Sequence, residues 1–160
     1  MSVTAVQSYV QKLLNNLTVP AYSETPVVAY IAPPIPGDAG VPSVFIWGGT
    51  WTERRQTAPR GKGFKEVVYN LDLWVIVVQS NERPDSDTAF PSLIEALMNV
   101  LRQTPMPTFI TDPVTNVQSQ VLSVGESFEV DYSPVHTVAD QVDVQYTAWI
   151  KATIKEAFQG

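Results

Sequence analysis

The chain has 160 residues, 44% of them hydrophobic and 16% charged, with no cysteine and a formal net charge of −6. That length predicts one domain able to bury about two thirds of its unfolded surface, and the composition excludes wholesale disorder. The lack of cysteine excludes disulfides, thiolate metal sites and cysteine nucleophiles. No apolar run approaches the roughly 20 residues that span a bilayer, and Met1-Ser-Val-Thr-Ala-Val-Gln7 lacks the basic start of a signal peptide. The expectation is a soluble protein, made in a cytoplasm, with no membrane partner.

Charge is unevenly placed. Residues 50 to 65 carry five of the ten basic side chains (Arg54, Arg55, Arg60, Lys62 and Lys65) against Glu53 alone, a local charge of +4 that leaves the remaining residues at −10. A nucleic-acid binder draws affinity from many phosphate contacts on a predominantly basic face. An acidic body with one basic appendage instead suggests a segment that meets an acidic surface, and another copy of the same chain offers one.

In chain order, Thr4 can cap a helix with Gln7 three positions on. Val6, Val10, Leu13, Leu14 and Leu17 then share one face, predicting a helix from about Ala5 to Asn16. Val27 to Ala32 predicts a first strand, stopped by Pro33-Pro34. Ser43 to Trp47 predicts a second, ended by Gly48-Gly49. From about Thr50 to Phe64 the chain is polar and rich in turn-formers, which predicts a long mobile basic loop. Lys65 to Gln79 predicts a long strand. One of its faces is continuously apolar through Val67, Tyr69, Leu71, Leu73, Val75 and Val77. The other changes from Glu66, Asn70 and Asp72 to Trp74, Ile76 and Val78, so its first half should be covered on one side and its second on both.

After a polar loop, Ser80 to Thr88, a second helix is expected from near Pro91, with Leu93, Ile94, Leu97, Met98 and Leu101 as its buried stripe. A short extended piece is expected around Phe109-Ile110. Ser119 to Val124 and Ser127 to Asp131 read as two short strands around Gly125-Glu126, or as one strand with a glycine bulge. The last strand alternates from Val142 to Lys155, with Ala148, Ile150, Ala152 and Ile154 inward. This order predicts a single α+β domain, a mostly antiparallel mixed sheet packed against two main helices, with a long basic loop.

No catalytic, metal or cofactor site emerges from these residues. Pro59-Arg-Gly-Lys-Gly63 lacks the spacing of a phosphate loop and precedes a strand rather than a helix. Ser133, His136 and Asp140 are the residue types of a hydrolase triad, but they lie within eight residues without a nucleophile elbow. Glu82, Asp85 and Asp87 lack calcium-loop spacing and fit helix entry, where acids complement the dipole. Trp51 beside the arginines is typical of protein interfaces. Trp149, on the nominally wet face of the last strand, is either a second interface residue or partly covered by a helix of its own subunit. The expected interface set is therefore Arg54, Arg55, Arg60, Lys62, Lys65, Trp51 and Trp149, and an enzyme is not expected.

Several stretches together resemble the tail terminator, or tail completion, proteins of long-tailed bacteriophages. They are the basic arm Arg54-Arg-Gln-Thr-Ala-Pro-Arg-Gly-Lys-Gly-Phe-Lys65, the strand Val67-Val-Tyr-Asn-Leu-Asp-Leu-Trp-Val75, the helix Phe90-Pro-Ser-Leu-Ile-Glu-Ala-Leu97 and the strand Val142-Asp-Val-Gln-Tyr-Thr-Ala-Trp-Ile150. The resemblance rests on order, length and texture and covers most of the chain. It implies a structural virion protein that forms a homohexameric ring on the head-proximal end of the tail tube, ends tube polymerisation and joins tail to head. The implied partners are further copies, the tail tube protein and a head-completion or connector protein, with DNA passing through the lumen without specific binding. The implied location is the virion tail and neck, and the host cytoplasm during assembly. A head-tail connector or head-closure neck protein has a similar texture, and a small monomeric ligand-binding domain is the alternative from another class.

Overall fold

The alternating hydrophobic segments build one sheet, and the two helical apolar stripes cover one of its faces. The structure, a computed structural model, describes residues 3–20, 25–34, 42–56, 63–80, 86–103, 107–132, 136–137 and 143–159. The elements are α1 (Val3–Leu14), β1 (Val28–Tyr30), β2 (Ser43–Gln56), β3 (Phe64–Ser80), α2 (Ser86–Gln103), β4 (Thr108–Thr111), β5 (Gln118–Tyr132), β6 (His136–Thr137) and β7 (Asp143–Gln159). The strands form a seven-stranded sheet in the order β1-β2-β3-β7-β5-β4, with β6 also on β7. Only β1 with β2 is parallel among the described pairs. The sheet is therefore mixed, and it curls into a half-barrel, in keeping with the expected α+β class.

The core lies where period-2 and period-3.6 patterns meet. On β3 the side chains of Val67, Tyr69, Leu71, Leu73, Val75 and Val77 are all buried. They stand opposite Glu156, Ile154, Ala152, Ile150, Ala148 and Tyr146 of β7. Val6, Val10 and Leu14 of α1 and Phe90, Leu93, Ile94, Leu97 and Leu101 of α2 close over this face in one cluster. Each such aliphatic side chain contributes about 1.5–3 kcal/mol by leaving water. On the other face of β3, Glu66, Asn70, Asp72 and Trp74 are half-buried and Ile76 is buried, so among the described side chains of that face the cover expected for the second half is complete only at Ile76.

α1 ends close to its expected position. Asn16 takes a positive φ of 64°, which asparagine tolerates better than most residues. Its N–H donates to Val27 O at 2.9 Å, and Asn15 Oδ1 accepts from Ala29 N at 3.1 Å. These bonds tie the helix end to β1, which is shorter than the run Val27 to Ala32 suggests.

Two further boundaries differ from expectation. The segment Thr50 to Gln56 is not loop but the second half of β2, laddered onto β3 from Trp51↔Tyr69 to Gln56↔Phe64. Gly48 and Gly49, expected to end the strand, instead make a bulge, since the pairing passes from Gly48↔Leu71 to Trp51↔Tyr69 with one residue to spare on β2. A Cβ at Gly49 would fall 2.1 Å from Asn70 O, so only glycine fits. The other correction concerns α2, which starts at Ser86 and carries Pro91 inside it. Buried Phe90, packed against Tyr132 and Tyr146, draws this first turn onto the sheet. Pro91 is the sixth residue of the helix, so its missing N–H removes the bond to the Asp87 carbonyl, just past the first four N–H groups, which have no helical acceptor.

β5 is one strand with register shifts at Val121/Ser123 and Val124/Phe128, the bulged form of the two readings its sequence allowed. β7 runs four residues past Lys155, to Gln159.

Candidate interaction surface

Residues that alternate with the core set point to the side of the sheet away from α1 and α2. Strand register sorts them into rows. One row reads Tyr30, Phe45, Trp74, Trp149 and Asp131 across β1, β2, β3, β7 and β5. Tyr30 stacks on Phe45 with centroids 5.2 Å apart, and Trp74 on Trp149 at 5.1 Å with the rings 4° from parallel. The next row reads Trp47, Asp72, Lys151 and Glu129.

Trp74, Asp72 and Lys151 of these rows hold the Trp149 ring. Its Nε1 donates to Asp72 Oδ1 at 3.0 Å, and Lys151 Nζ lies 4.2 Å from its ring centroid, opposite in sign to the π face. The cover on Trp149 therefore comes from Trp74, Lys151 and Asp72 rather than from a helix. Beside it, Asn70 Nδ2 donates to Thr50 Oγ1 at 3.0 Å and Thr153 Oγ1 donates to Asn70 Oδ1 at 3.2 Å. Asn70, Asp72, Glu129, Trp149, Lys151 and Thr153 line an open depression of about 500 Å³. With Trp74 and Lys151 already on the Trp149 ring, that ring is poorly placed to take a base or a sugar. Interleaved aromatic and charged side chains on a broad sheet face suit contact with another protein.

Of the expected basic interface residues, Arg54, Arg55 and Lys65 fall at one end of β2 and β3. Arg54 and Arg55 are exposed on β2. Lys65 Nζ instead turns to Glu53 Oε1 at 2.8 Å, and that hydrogen bond holds the Glu53 carboxyl below its usual value, with the charges of Lys65 and Arg55 adding to it against a weaker effect of burial. Trp51 is 56% exposed and Trp47 44% exposed, and the bulge between them puts the two rings on opposite faces of the sheet. Arg60 and Lys62 lie outside the described residues, as do Ser133, Asp140, Glu82 and Asp85. His136 lies in β6, opposite Gln145.

Sequence reasoning missed the exposed Tyr30, Phe109, Val114, Val117 and Tyr132. It also missed a buried polar cluster on the core face. Glu156 has no exposed surface. Its Oε1 accepts a short hydrogen bond from Ser119 Oγ, the Tyr69 hydroxyl bonds the same carboxyl, and Oε2 has no partner among the described residues. Burial pushes the Glu156 carboxyl up, opposed by the bonds from Ser119 and Tyr69 and reinforced by buried Asp112. Burial and the Glu156 charge likewise raise the Tyr69 phenol. Asp112 is largely committed to a turn, where Oδ1 accepts from Val114 N at 2.8 Å and Thr115 N at 3.1 Å. A signal for Glu156 existed: it is the next position on the Ile150, Ala152, Ile154 alternation.

Among the described residues no group of three His, Asp or Glu side chains is placed to hold a metal ion. No described helix is long and apolar enough to cross a membrane. Compared with known proteins, the chain matches no family model and no curated protein.

Proposed function

We propose that this chain is a structural subunit of a long-tailed bacteriophage, assembling as a ring that caps the head-proximal end of the tail tube, stops its polymerisation and receives the head-completion or connector protein. The observation that carries the reading is the strand β2 beyond its pairing with β1, where Trp47 and Arg54 lie on the face away from the helices and Trp51 and Arg55 on the opposite face, all four exposed on the single subunit. Large aromatics and arginine are the residues that interfaces concentrate. The resemblance of the arm and of the strands around Val67 and Val142 to tail terminators supplies the kind of assembly. The strongly acidic remainder of the chain suits a lumen through which DNA slides, because like charges repel. On this reading the protein does no chemistry, and the neck-protein alternative shares its surface logic.

The test is sedimentation of the purified chain alone and with tail tubes, followed by negative-stain imaging of the mixture. Rings at one end of the tubes are the expected result. A chain that stays monomeric in both conditions sinks the proposal, and binding to capsids but not to tubes transfers it to the neck.

A further inference from the structure

Among the described residues the ends of the sheet are only partly closed. β1 pairs with Ser43–Phe45 and leaves the rest of β2, Ile46 to Gln56, with a partner on the β3 side alone. β4 pairs with Gln118–Val121 and leaves Leu122 to Tyr132 of β5 with a partner on the β7 side alone. Counted from those bounds, each stretch is 11 residues, and among the described residues no backbone bond fills its outer side. Unpaired strand edges are templates for further strands, and proteins usually blunt them with proline, lysine or a covering element. Neither stretch contains proline or lysine.

Charge distinguishes the two edges. Ile46 to Gln56 holds Arg54, Arg55 and Glu53, whereas Leu122 to Tyr132 holds Glu126, Glu129 and Asp131 and no basic residue. Two β2 edges would bring arginines together, and two β5 edges would bring carboxylates together. Like charges across strands destabilise and opposite charges stabilise. Direction agrees as well. β2 and β7 both run against β3, and β5 runs against β7. A second copy that continued the sheet in the same orientation would thus offer its β2 antiparallel to β5 of the first.

We propose that the open edge of β2 adds to the open edge of β5 of a second copy, continuing the sheet head to tail through an antiparallel pair selected by charge. The inference rests on the self-assembling reading above and specifies which surfaces meet. A contact between two different surfaces closes into a ring or propagates as a filament, according to the rotation between copies. Exposed Trp47 and Trp51 lie on the joining strand and would be covered in the process.

The experiment uses two full-length variants, R54E/R55E and E129K/D131K, followed by sedimentation across concentration at low salt. Each variant alone carries like charges on both edges, so its self-association should weaken by about tenfold or more. An equimolar mixture restores it, because acidic β2 then meets basic β5 and the unchanged edges meet each other. Rescue on mixing also shows that both variants fold. Variants that associate like the unmodified chain overturn the edge pairing and leave the ring reading intact. A mixture that stays dissociated overturns it too. An open filament rather than a ring, dissolved by the same variants and restored by mixing, upholds the pairing and sinks the terminator ring. An unmodified chain that is monomeric alone and with tail tubes overturns both.

Discussion

Glu156 is a carboxyl placed where an aliphatic side chain would continue the core, and its effect on stability has a definite sign. Its folded-state pKa lies above the ordinary 4.5, chiefly because burial disfavours the ionised form. The folded chain therefore holds this proton to a higher pH than the unfolded chain does. Stability is fully present below the ordinary value and is lost as pH rises through the folded pKa, after which the penalty is constant. Each unit of upward displacement costs about 1.4 kcal/mol at high pH. With zero exposure and one oxygen unpartnered, a penalty of about 1–3 kcal/mol is reasonable for an incompletely satisfied buried group. Two groups act against it. Ser119 Oγ and the Tyr69 hydroxyl both bond the carboxyl and favour its ionised form, while Asp112 opposes ionisation. Glu156→Gln keeps the shape and removes the titration. Urea unfolding from pH 4 to pH 8 should show the unmodified chain losing stability on this rise relative to the variant, a difference that closes toward pH 4. Parallel profiles for the two proteins would refute the argument, and so would a relative gain for the unmodified chain as pH rises.

The bulge offers a sharp contrast between adjacent positions. Gly49→Ala forces a Cβ to 2.1 Å from Asn70 O and should cost about 1–3 kcal/mol by urea denaturation, whereas at Gly48 the nearest atom is 3.6 Å away and alanine should be close to neutral. Trp149→Ala removes the stack on Trp74 and the bond to Asp72. Because Trp149 is only partly buried, the expected loss is about 2 kcal/mol, less than for a core tryptophan. Replacing Arg54, Arg55, Arg60 and Lys62 together with serine should change thermal stability by less than about 0.5 kcal/mol per site, yet impair assembly on tail tubes. Assembly at the unmodified rate would remove the arm from the interface.

How far the fold could be read in advance depended on where local pattern and tertiary pairing agreed. β3 and the body of β7 were legible because every second residue is apolar and the partner strands leave that pattern undisturbed. The second half of β2 was not. Thr50-Trp-Thr-Glu-Arg-Arg-Gln56 follows two glycines and carries no core residues of its own, so its strand form comes from the ladder to β3. The first turn of α2 was hidden by Ser86, Asp87 and Thr88, polar residues that read as loop until Phe90 is seen to anchor them. Trp149 and the arginines were singled out by residue type and exposure alone. The Trp74, Asp72 and Lys151 environment of Trp149 required knowing that β3 neighbours β7, a contact between residues 77 apart in sequence. Glu156 fell just past the expected end of its strand.

The extra residue at Gly49 also acts as a sorting device for charge. If β2 followed the register of Gly48↔Leu71 without the bulge, Glu53 would stand across from Glu66, and Arg54 across from Lys65. With the bulge, Arg54 faces Glu66 and Glu53 faces Val67. Arg55 is left across from Lys65, whose ammonium is drawn aside to Glu53 at 2.8 Å. One spare glycine thus replaces two repulsive cross-strand pairs by one, which Lys65 relieves by turning to Glu53, and gives Arg54 an attractive partner. The slipped alignment is penalised by repulsion near the end of the hairpin, where β2 itself contributes no buried side chain to correct it.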